Sequence, residues 1–176
     1  MSITVRLAHD CDAAELAAVA AATFPLACPP SAHPADIEAA IAATLSPQRF
    51  AGYLADPERV ILVATDASRI IGYAMLIRGI GDDPDITASV PQRPAVELSK
   101  MYVLATHHGG GASARLMQSG IAWAAESGAA VLWLGANRKN ERAQRFYRKH
   151  GFEVTGARRF PLGDSYEDDV VMVRPI

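Results

Sequence analysis

Residues 102–117 read YVLATHHGGGASARLM, a stretch that predicts three consecutive elements of the fold. A short apolar run is followed by two histidines, three glycines and a helical pattern that places Leu116, Met117, Ile121 and Ala124 on one side. The pattern predicts a strand, a glycine-rich turn and a helix from Gly111 to Ser127. Because such a turn gathers backbone N–H groups beside a helix N-terminus, it is a ready site for an anion.

The glycine run leaves three interpretations open: a phosphate site, a metal site on the histidines, or a connector that needs left-handed backbone. It lacks the Lys-Ser/Thr that follows the glycines of a P-loop, and Ala114 stands where a dinucleotide fingerprint needs glycine. His107 and His108 are adjacent in sequence, and no Cys, Asp or Glu in the loop completes a set of metal ligands. We therefore expect no metal.

The remaining elements are predicted from hydrophobic periodicity and turn residues. Strands are expected at ITVRL, RVILVATD, RIIGYAMLIRG, VELSKMYVL, VLWLGA, FEVTGARRF and DDVVMVRP, with Ala67-Ser68 joining the second and third. Further helices are expected over residues 12–22, 36–45, 46–54 and 139–151. The order predicts an α/β (α+β) domain over residues 1–176, with a mostly antiparallel sheet of about six to seven strands flanked by about four helices.

Caps and loops complete this prediction. Asp12 and Glu15 have the spacing of a capping box, and Ser46-Pro47 is a typical start of a helix. Gly151 is a good residue to end the last helix. The proline-rich segment at 24–34 and the polar segment at 81–94 are interpreted as loops.

Composition excludes several classes of protein. The chain has 176 residues and a formal net charge of −2, so nothing drives it as a whole towards nucleic acid or an acidic membrane surface. Its apolar runs end well before the length of about 18 residues that a membrane span needs. Two cysteines, Cys11 and Cys28, are too few for a disulfide framework. We expect free thiols, a cytoplasmic location and no membrane or nucleic-acid partner.

The segment 137–152, NRKNERAQRFYRKHGF, supplies a second motif. Its helix is rich in Arg and Lys, which suits either a solvated face or a phosphate-rich ligand. Asn140 and Tyr147 lie seven residues apart, which is about two helical turns, so their side chains point the same way. Tyr147 is either a packing residue at the edge of the core or a functional phenol.

Taken together, the glycine loop and the pattern Asn140, Ala143, Tyr147, Gly151 and Phe152 resemble the GNAT superfamily of acetyl-CoA-dependent N-acetyltransferases. The resemblance covers nearly the whole chain, and LWLGANRKNERAQRFYRKHGF is most similar to bacterial spermine/spermidine-type enzymes. The helix pattern matches without departure. In the loop, His108 stands for the Arg or Gln of the family and Ser113 for its Gly or Ala.

The resemblance implies roles for individual residues. The loop would hold the pyrophosphate of coenzyme A, Met101 to Val103 would pair with its pantetheine arm, and Tyr147 would protonate the leaving thiolate. The cofactor-binding residues implied in this way are Met101, Tyr102, Val103, His108, Gly109, Gly110, Gly111, Ala112, Ser113, Asn140 and Tyr147.

The catalytic base is less determined. Glu97 is the first candidate, because it lies on the strand that leads into the glycine loop, beside the expected acetyl group. It would equally serve as an ion-pair partner of an arginine. Tyr166 and His150 are weaker candidates.

The acceptor is expected to be a primary amine. The acidic segments 81–85 and 163–169 would attract a polyamine if they line its site, and otherwise serve solubility. Two alternatives stay open: an enzyme that acetylates proteins or peptides, and an acyl-CoA-binding module without activity. A homodimer through exposed strand edges is a further expectation.

Overall fold

Seven strands form one sheet in the computed structural model, which describes residues 2–162 and 164–176. They are β1 (Ile3–Leu7), β2 (Arg59–Asp66), β3 (Arg69–Arg78), β4 (Ala95–Val103), β5 (Val131–Asn137), β6 (Glu153–Leu162) and β7 (Ser165–Pro175). Their order across the sheet is β1-β2-β3-β4-β5-β7-β6. Every neighbouring pair is antiparallel except β4 and β5, which are parallel. The predicted sheet is confirmed.

The α-helices are α1 (Ala13–Ala27), α2 (Pro34–Thr44), α3 (Pro47–Ala55), α4 (Pro84–Ser89), α5 (Ala112–Glu126) and α6 (Glu141–Lys149). The described residues form six α-helices, more than the total of about four that was expected: five lie at the ranges predicted to be helical, and α4 was predicted as part of a loop. Helix α5 packs on one face of the sheet, where Leu116 and Met117 join the cluster around Leu76 and Leu98. Helices α1 and α3 cover the other face, where Leu16 and Phe50 pack with Tyr73.

The loop predicted for residues 24–34 is wrong at its start, because α1 continues to Ala27 with Pro25 inside it. A proline removes one backbone donor, which normally ends a helix. Side-chain donors on either side bond to helix carbonyls here: the Thr23 hydroxyl to Val19 at 2.7 Å and the Cys28 thiol to Phe24 at 3.4 Å. The extra turn matters, because it forms one wall of the site described below.

The loop predicted for residues 81–94 is also wrong in part, since α4 lies within it. Asp83 caps this helix by accepting a hydrogen bond from the Asp85 amide at 2.9 Å, and Pro84 occupies the first turn. Ile86 and Val90 are buried against Trp133, which explains why so short a helix forms. The Asp-Pro pair is the same kind of start signal as Ser46-Pro47, which does begin α3 as predicted.

The predicted capping box of Asp12 and Glu15 is not formed. Asp12 instead accepts hydrogen bonds from Arg6 at 2.7 Å and from the His9 amide at 2.7 Å. Glu15 accepts from the amide of Ile70 at 2.8 Å. The two carboxylates therefore link the start of α1 to β1 and β3, and they are bonded to these strands instead of to the amides of the first helical turn.

Free cysteines are confirmed, since Cys11 and Cys28 are both unpaired. Gly151 follows α6 with a φ of 89°, as expected for the residue that ends a helix. None of the helices in residues 2–162 and 164–176 has the length and apolar character that a membrane crossing requires.

Close approach of β3 and β4 depends on Gly72. A Cβ at this position would lie 2.7 Å from the backbone oxygen of Tyr102 and 2.9 Å from a methyl group of Val103. Neither neighbour is the free end of a flexible side chain, so an added methyl group would force the strands apart.

We predict that Gly72→Ala lowers the free energy of unfolding by about 1–3 kcal/mol, the usual cost of overpacking a core. Gly52→Ala is the matched control, because Gly52 is exposed within α3 and has no atom within 4 Å of its would-be Cβ. There alanine should be neutral or stabilising by up to about 1 kcal/mol. Urea denaturation of both variants measures the difference, and equal stabilities would contradict the strand-contact argument.

Candidate active site

A wedge opens between β4 and β5. The two strands pair only from Ala95 to Glu97 and from Val131 to Trp133, while β3 pairs with β4 as far as Val103. The inner edge of β4 from Leu98 onwards therefore has no strand beside it. The register of β4 against β3 shifts at Ser99, and a bulge of this kind bends a strand and increases its twist.

Two adjoining cavities fill the wedge. The loop cavity, of about 280 Å³, reaches from the glycine loop to the start of α6. The inner cavity, of about 150 Å³, lies deeper against β5, β6 and β7. Six residues line both: Ala27, Met101, Tyr102, Asn140, Ala143 and Tyr147. The cavities thus meet at the inner edge of β4 and at the Tyr147 side of α6.

The glycine loop lines its cavity with only part of its length. His108, Gly109 and Ser113 face the cavity, together with Val103. Of the other predicted loop residues, Gly110 and Gly111 lie outside the lining and Ala112 is buried in the core behind it. His108 bonds through Nε2 to the carbonyl of Val103 at 2.8 Å, which joins the loop to the end of β4.

The backbone of the loop explains its glycines. Gly109 and Gly111 have φ values of 82° and 86°, in the left-handed region that other residues rarely adopt. Gly111 is the N-cap of α5 and supplies no side-chain cap. The first amides of this 15-residue helix are consequently left for another acceptor. A bound anion would supply one.

The two histidines of the loop point to different partners. His107 lies with Nε2 at 3.4 Å from a carboxylate oxygen of Asp66, whereas His108 contacts Val103. No group of three or more His, Cys, Asp or Glu side chains in residues 2–162 and 164–176 has the arrangement of a metal site.

The cavities differ in charge. The loop cavity is lined by Arg142 and His108 and by no carboxylate, so it suits an anion. The inner cavity has two cations, Lys100 and Arg158, and two carboxylates, Glu167 and Asp169. Arg158 and Asp169 form an ion pair at 3.4 Å, and burial raises the pKa of Asp169 while Arg158 lowers it.

Arg158 reaches the inner cavity across Gly135. A Cβ at 135 would lie 2.5 Å from a guanidinium nitrogen of Arg158, so a side chain there would displace the arginine. The glycine in VLWLGA therefore opens the floor of the inner cavity.

Tyr147 and Asn140 line both cavities, as their seven-residue spacing predicts. Asn140 is the N-cap of α6 rather than a helical residue, and its Oδ1 accepts a hydrogen bond from the amide of Ala143 at 3.1 Å. Tyr147 packs edge-to-face on Phe146 and Phe152. Burial raises the pKa of Tyr147 to about 12, so its phenol is protonated at neutral pH.

Glu97 lines neither cavity. It lies on β4 opposite Trp133, where burial raises the pKa of its carboxyl group and Arg158, Lys100 and Arg59 lower it. Any part it plays in moving a proton would have to pass through another group. His150 and Tyr166 lie outside both cavities too: His150 stacks on Phe146, and Tyr166 lies under the guanidinium of Arg159.

Comparison with known proteins gives this arrangement its context. The sequence profile described as acetyltransferase (GNAT) family matches residues 24–152. The chain belongs to this family. Proteins named as uncharacterized N-acetyltransferases from Mycobacterium tuberculosis (strain H37Rv) and Mycobacterium bovis are 55% identical over 165 residues, which cover 94% of this chain and 98% of each relative. The chain is accordingly an N-acetyltransferase.

Solved structures of GNAT proteins share its fold. The PaiA N-acetyltransferase from Thermoplasma acidophilum, determined in complex with coenzyme A, has a TM-score of 0.78 at 19% identity, covering 100% of both chains. The ribosomal-protein-S18-alanine N-acetyltransferase from Escherichia coli has a TM-score of 0.71 at 19% identity, covering 99% of this chain and 94% of that one. At such identities the likeness concerns the fold.

Sequence reasoning missed several lining residues. The end of α1 contributes Phe24, Ala27 and Cys28, which the predicted proline-rich loop concealed. Arg142 belongs to a helix with several Arg and Lys residues, and its sequence does not show which of them faces the cavity. The sequence did not predict a role for Lys100 in the motif ELSKMYV, because the bulge changes the face of the sheet on which its side chain lies. Arg158 and Asp169 could have been found only from the pairing of β6 with β7.

Asn140 offers a test of the local structure of the site. We predict that Asn140→Ala lowers the free energy of unfolding by about 1 kcal/mol through loss of the α6 cap, and that Asn140→Asp restores most of it. Ser46→Ala is the matched control, because Ser46 caps α3 with a similar bond of 3.2 Å to Arg49. Urea denaturation should give losses of the same order for the two alanine variants; an unchanged stability for Asn140→Ala would contradict its capping role.

Proposed function

We propose that this protein transfers the acetyl group of acetyl-CoA to a primary amine by direct attack in a ternary complex. The observation that carries the proposal is the meeting of the two cavities at the unpaired inner edge of β4. One cavity is cationic and borders a glycine loop, and the other lies deeper and has mixed charge. This division suits a phosphate-bearing cosubstrate on one side and a small acceptor on the other.

The chain has suitable groups to hold acetyl-CoA. The amides of the glycine loop and of the first turn of α5 are assigned to the pyrophosphate, with Arg142 as the nearby cation. Backbone groups of Met101, Tyr102 and Val103 are assigned to the pantetheine arm, because β5 does not pair with this part of β4, although the Val103 carbonyl is already bonded to His108. His108 differs from the Arg or Gln of the family pattern. Its side chain nevertheless has a structural role, because it joins the loop to the end of β4 through the carbonyl of Val103.

Acetyl-CoA supplies an activated thioester, and the protein's part is to position, polarise and move protons. Holding an amine in the inner cavity replaces a bimolecular encounter with an oriented one. Unpaired N–H groups of β4 after the bulge are the donors assigned to the developing oxyanion. Tyr147 is assigned as the acid that protonates the departing thiolate. Its hydroxyl has no hydrogen-bond partner among the described residues, so it is available to a ligand.

Glu97 can act as the base only if another group carries the proton to it from the acceptor. Its carboxylate lies off the cavities, so a water molecule or the Lys100 amine would have to carry the proton from the acceptor. The position of Lys100 on the inner cavity supports such a relay.

The acceptor proposed is a small amine. The polyamine hypothesis keeps limited support, because the segment 81–85 lines neither cavity, whereas Glu167 and Asp169 of the other acidic segment line the inner one. Gly163 of that segment lies outside the described residues. Since Lys100 and Arg158 offset these two carboxylates, the inner cavity has no excess negative charge to select a polycation. Activity on a panel of amines that contains spermidine and monoamines with uncharged tails distinguishes a polyamine acceptor from a small monoamine acceptor.

We predict that Tyr147→Phe lowers kcat by roughly 10²–10⁴-fold, the range for loss of a general acid, while the Kd for acetyl-CoA stays within about twofold. Because the pKa of Tyr147 is raised to about 12, the loss should be constant from about pH 6 to pH 9, where the phenol is protonated throughout. Tyr102→Phe is the control, since Tyr102 lines the same two cavities. Equal losses in the two variants would remove the acid role from Tyr147.

The loop assignment has its own test. Gly109→Ala would place a methyl group at the open wall of the loop cavity, and we expect it to weaken acetyl-CoA binding by at least about tenfold, a loss of roughly 1.4 kcal/mol. Gly128→Ala is the matched control: its φ of 83° imposes the same backbone strain, its would-be Cβ also has no neighbour within 4 Å, and it lies after the far end of α5. Calorimetric titration gives both Kd values. Equal affinities would separate the loop from the cosubstrate.

A further inference from the structure

The inner cavity contains an amine that belongs to the chain itself. Lys100 follows the bulge at Ser99 and lies opposite Met75 of β3. The bulge places it on the face of the sheet covered by α1, whereas the next residue, Met101, packs against the α5 core. Lys100 and Tyr147 both line the inner cavity.

This amine is held by no other side chain. No hydrogen bond or ion pair of Lys100 is formed among residues 2–162 and 164–176, and the residue is half-buried. Three charged groups surround it at longer range: Glu97 on its own strand, Arg59 on β2 and Arg158 on β6. An unpaired amine at the wall of a cavity is free to turn towards a bound ligand.

Its environment raises the fraction of the neutral, reactive form above that of an ordinary lysine. Burial lowers the pKa of Lys100, Glu97 raises it, and Arg59 and Arg158 lower it, with a net shift below the ordinary value for lysine. A neutral amine has the lone pair that attacks a thioester, which a protonated amine lacks. This shift adds to the argument from position, on which the inference is based.

We propose that Lys100 is an acetylation site of this protein, modified by its own active site when no external acceptor occupies the inner cavity. The inference rests on the proposed function, because acetyl-CoA must be bound in the loop cavity for the reaction to occur. Lys100 would then be both a lining residue of the acceptor cavity and an acceptor.

The chemistry is that of the proposed reaction with an internal nucleophile. The Nζ lone pair forms a bond to the thioester carbonyl carbon, and the bond from that carbon to sulfur breaks. The nitrogen loses one proton and the departing sulfur gains one, with Tyr147 as the assigned donor to sulfur. The products are an N-acetylated Lys100 and free coenzyme A, and no oxidant or further reactant is needed.

The modification would change the inner cavity in two ways. It removes the only cation there that has no carboxylate partner among the described residues, which leaves Glu167 and Asp169 against Arg158 alone. It also adds the volume of an acetyl group to a cavity of about 150 Å³. An acceptor amine should compete with the modification, because both need the same space.

The sequence makes the experiment simple, because Lys100, Lys139 and Lys149 are its only lysines. Lys139 and Lys149 are exposed and report uncatalysed acetylation. The purified protein is incubated with acetyl-CoA, and peptide mapping by mass spectrometry follows each lysine over time. We expect Lys100 to gain one acetyl group at least about tenfold faster than either exposed lysine, as held reactants do.

Controls fix the origin of the signal. Lys100→Arg should gain no acetyl group at this position, because a guanidinium stays protonated. The heat-unfolded chain should lose the preference for Lys100, and Tyr147→Phe should slow its modification. The same preparations are titrated with acetyl-CoA by calorimetry.

Each result decides between the two proposals. Acetyl-CoA binding with an unmodified Lys100, or with Lys139 or Lys149 modified first, would overturn the inference and leave the proposed function intact. Absence of acetyl-CoA binding would overturn the proposed function, and the inference with it.

Discussion

The separation of β4 from β5 is the constraint on which the rest of the site depends. A parallel pair that continued to the end of β4 would satisfy its backbone groups within the sheet and leave no cavity. Here the pairing stops after Glu97 and Trp133, and the bulge at Ser99 bends β4 away. The edge left in this way lines the two cavities, and its backbone groups suit the proposed extended ligand with amide groups.

Around this opening the chain sorts its charges. The loop side presents amides, Arg142 and His108, and the inner side balances two cations against two carboxylates. Tyr147 stands where the two sides meet, with a phenol that burial keeps protonated. Burial also lowers the pKa of the Lys100 amine. The same desolvation thus acts on the phenol and on the amine, in each case against the charged form.

Much of this could be predicted from sequence, because the decisive signals are local. Val- and Ile-rich runs predict the strands, the glycine run predicts the loop before α5, and the spacing of Asn140 and Tyr147 predicts a shared face. The errors arose where tertiary contacts overrode local rules. Pro25 lies within α1, which packs on the sheet and continues to Ala27. Asp12 and Glu15 bind Arg6 and Ile70 instead of capping a helix.

The composition of the inner cavity could not be predicted in the same way. Its residues come from α1, β4, β5, β6 and β7, and only the sheet order β4-β5-β7-β6 brings them together. Lys100 illustrates the difficulty. Its direction depends on one extra residue, Ser99, that alternation along the strand does not reveal. Glu97 lies on β4, where the sequence suggested a catalytic base, but it lines neither cavity. Its charge raises the pKa of Lys100.

Amide hydrogen exchange of the wild-type protein with and without acetyl-CoA shows whether the cosubstrate lies along the unpaired edge of β4. If the inner edge of β4 and the glycine loop hold the cosubstrate, exchange should slow in peptides covering residues 98–104 and 108–116. Exchange in α4, which lies outside both cavities, should stay unchanged. Binding of acetyl-CoA without slower exchange in either of the first two peptides would contradict the account.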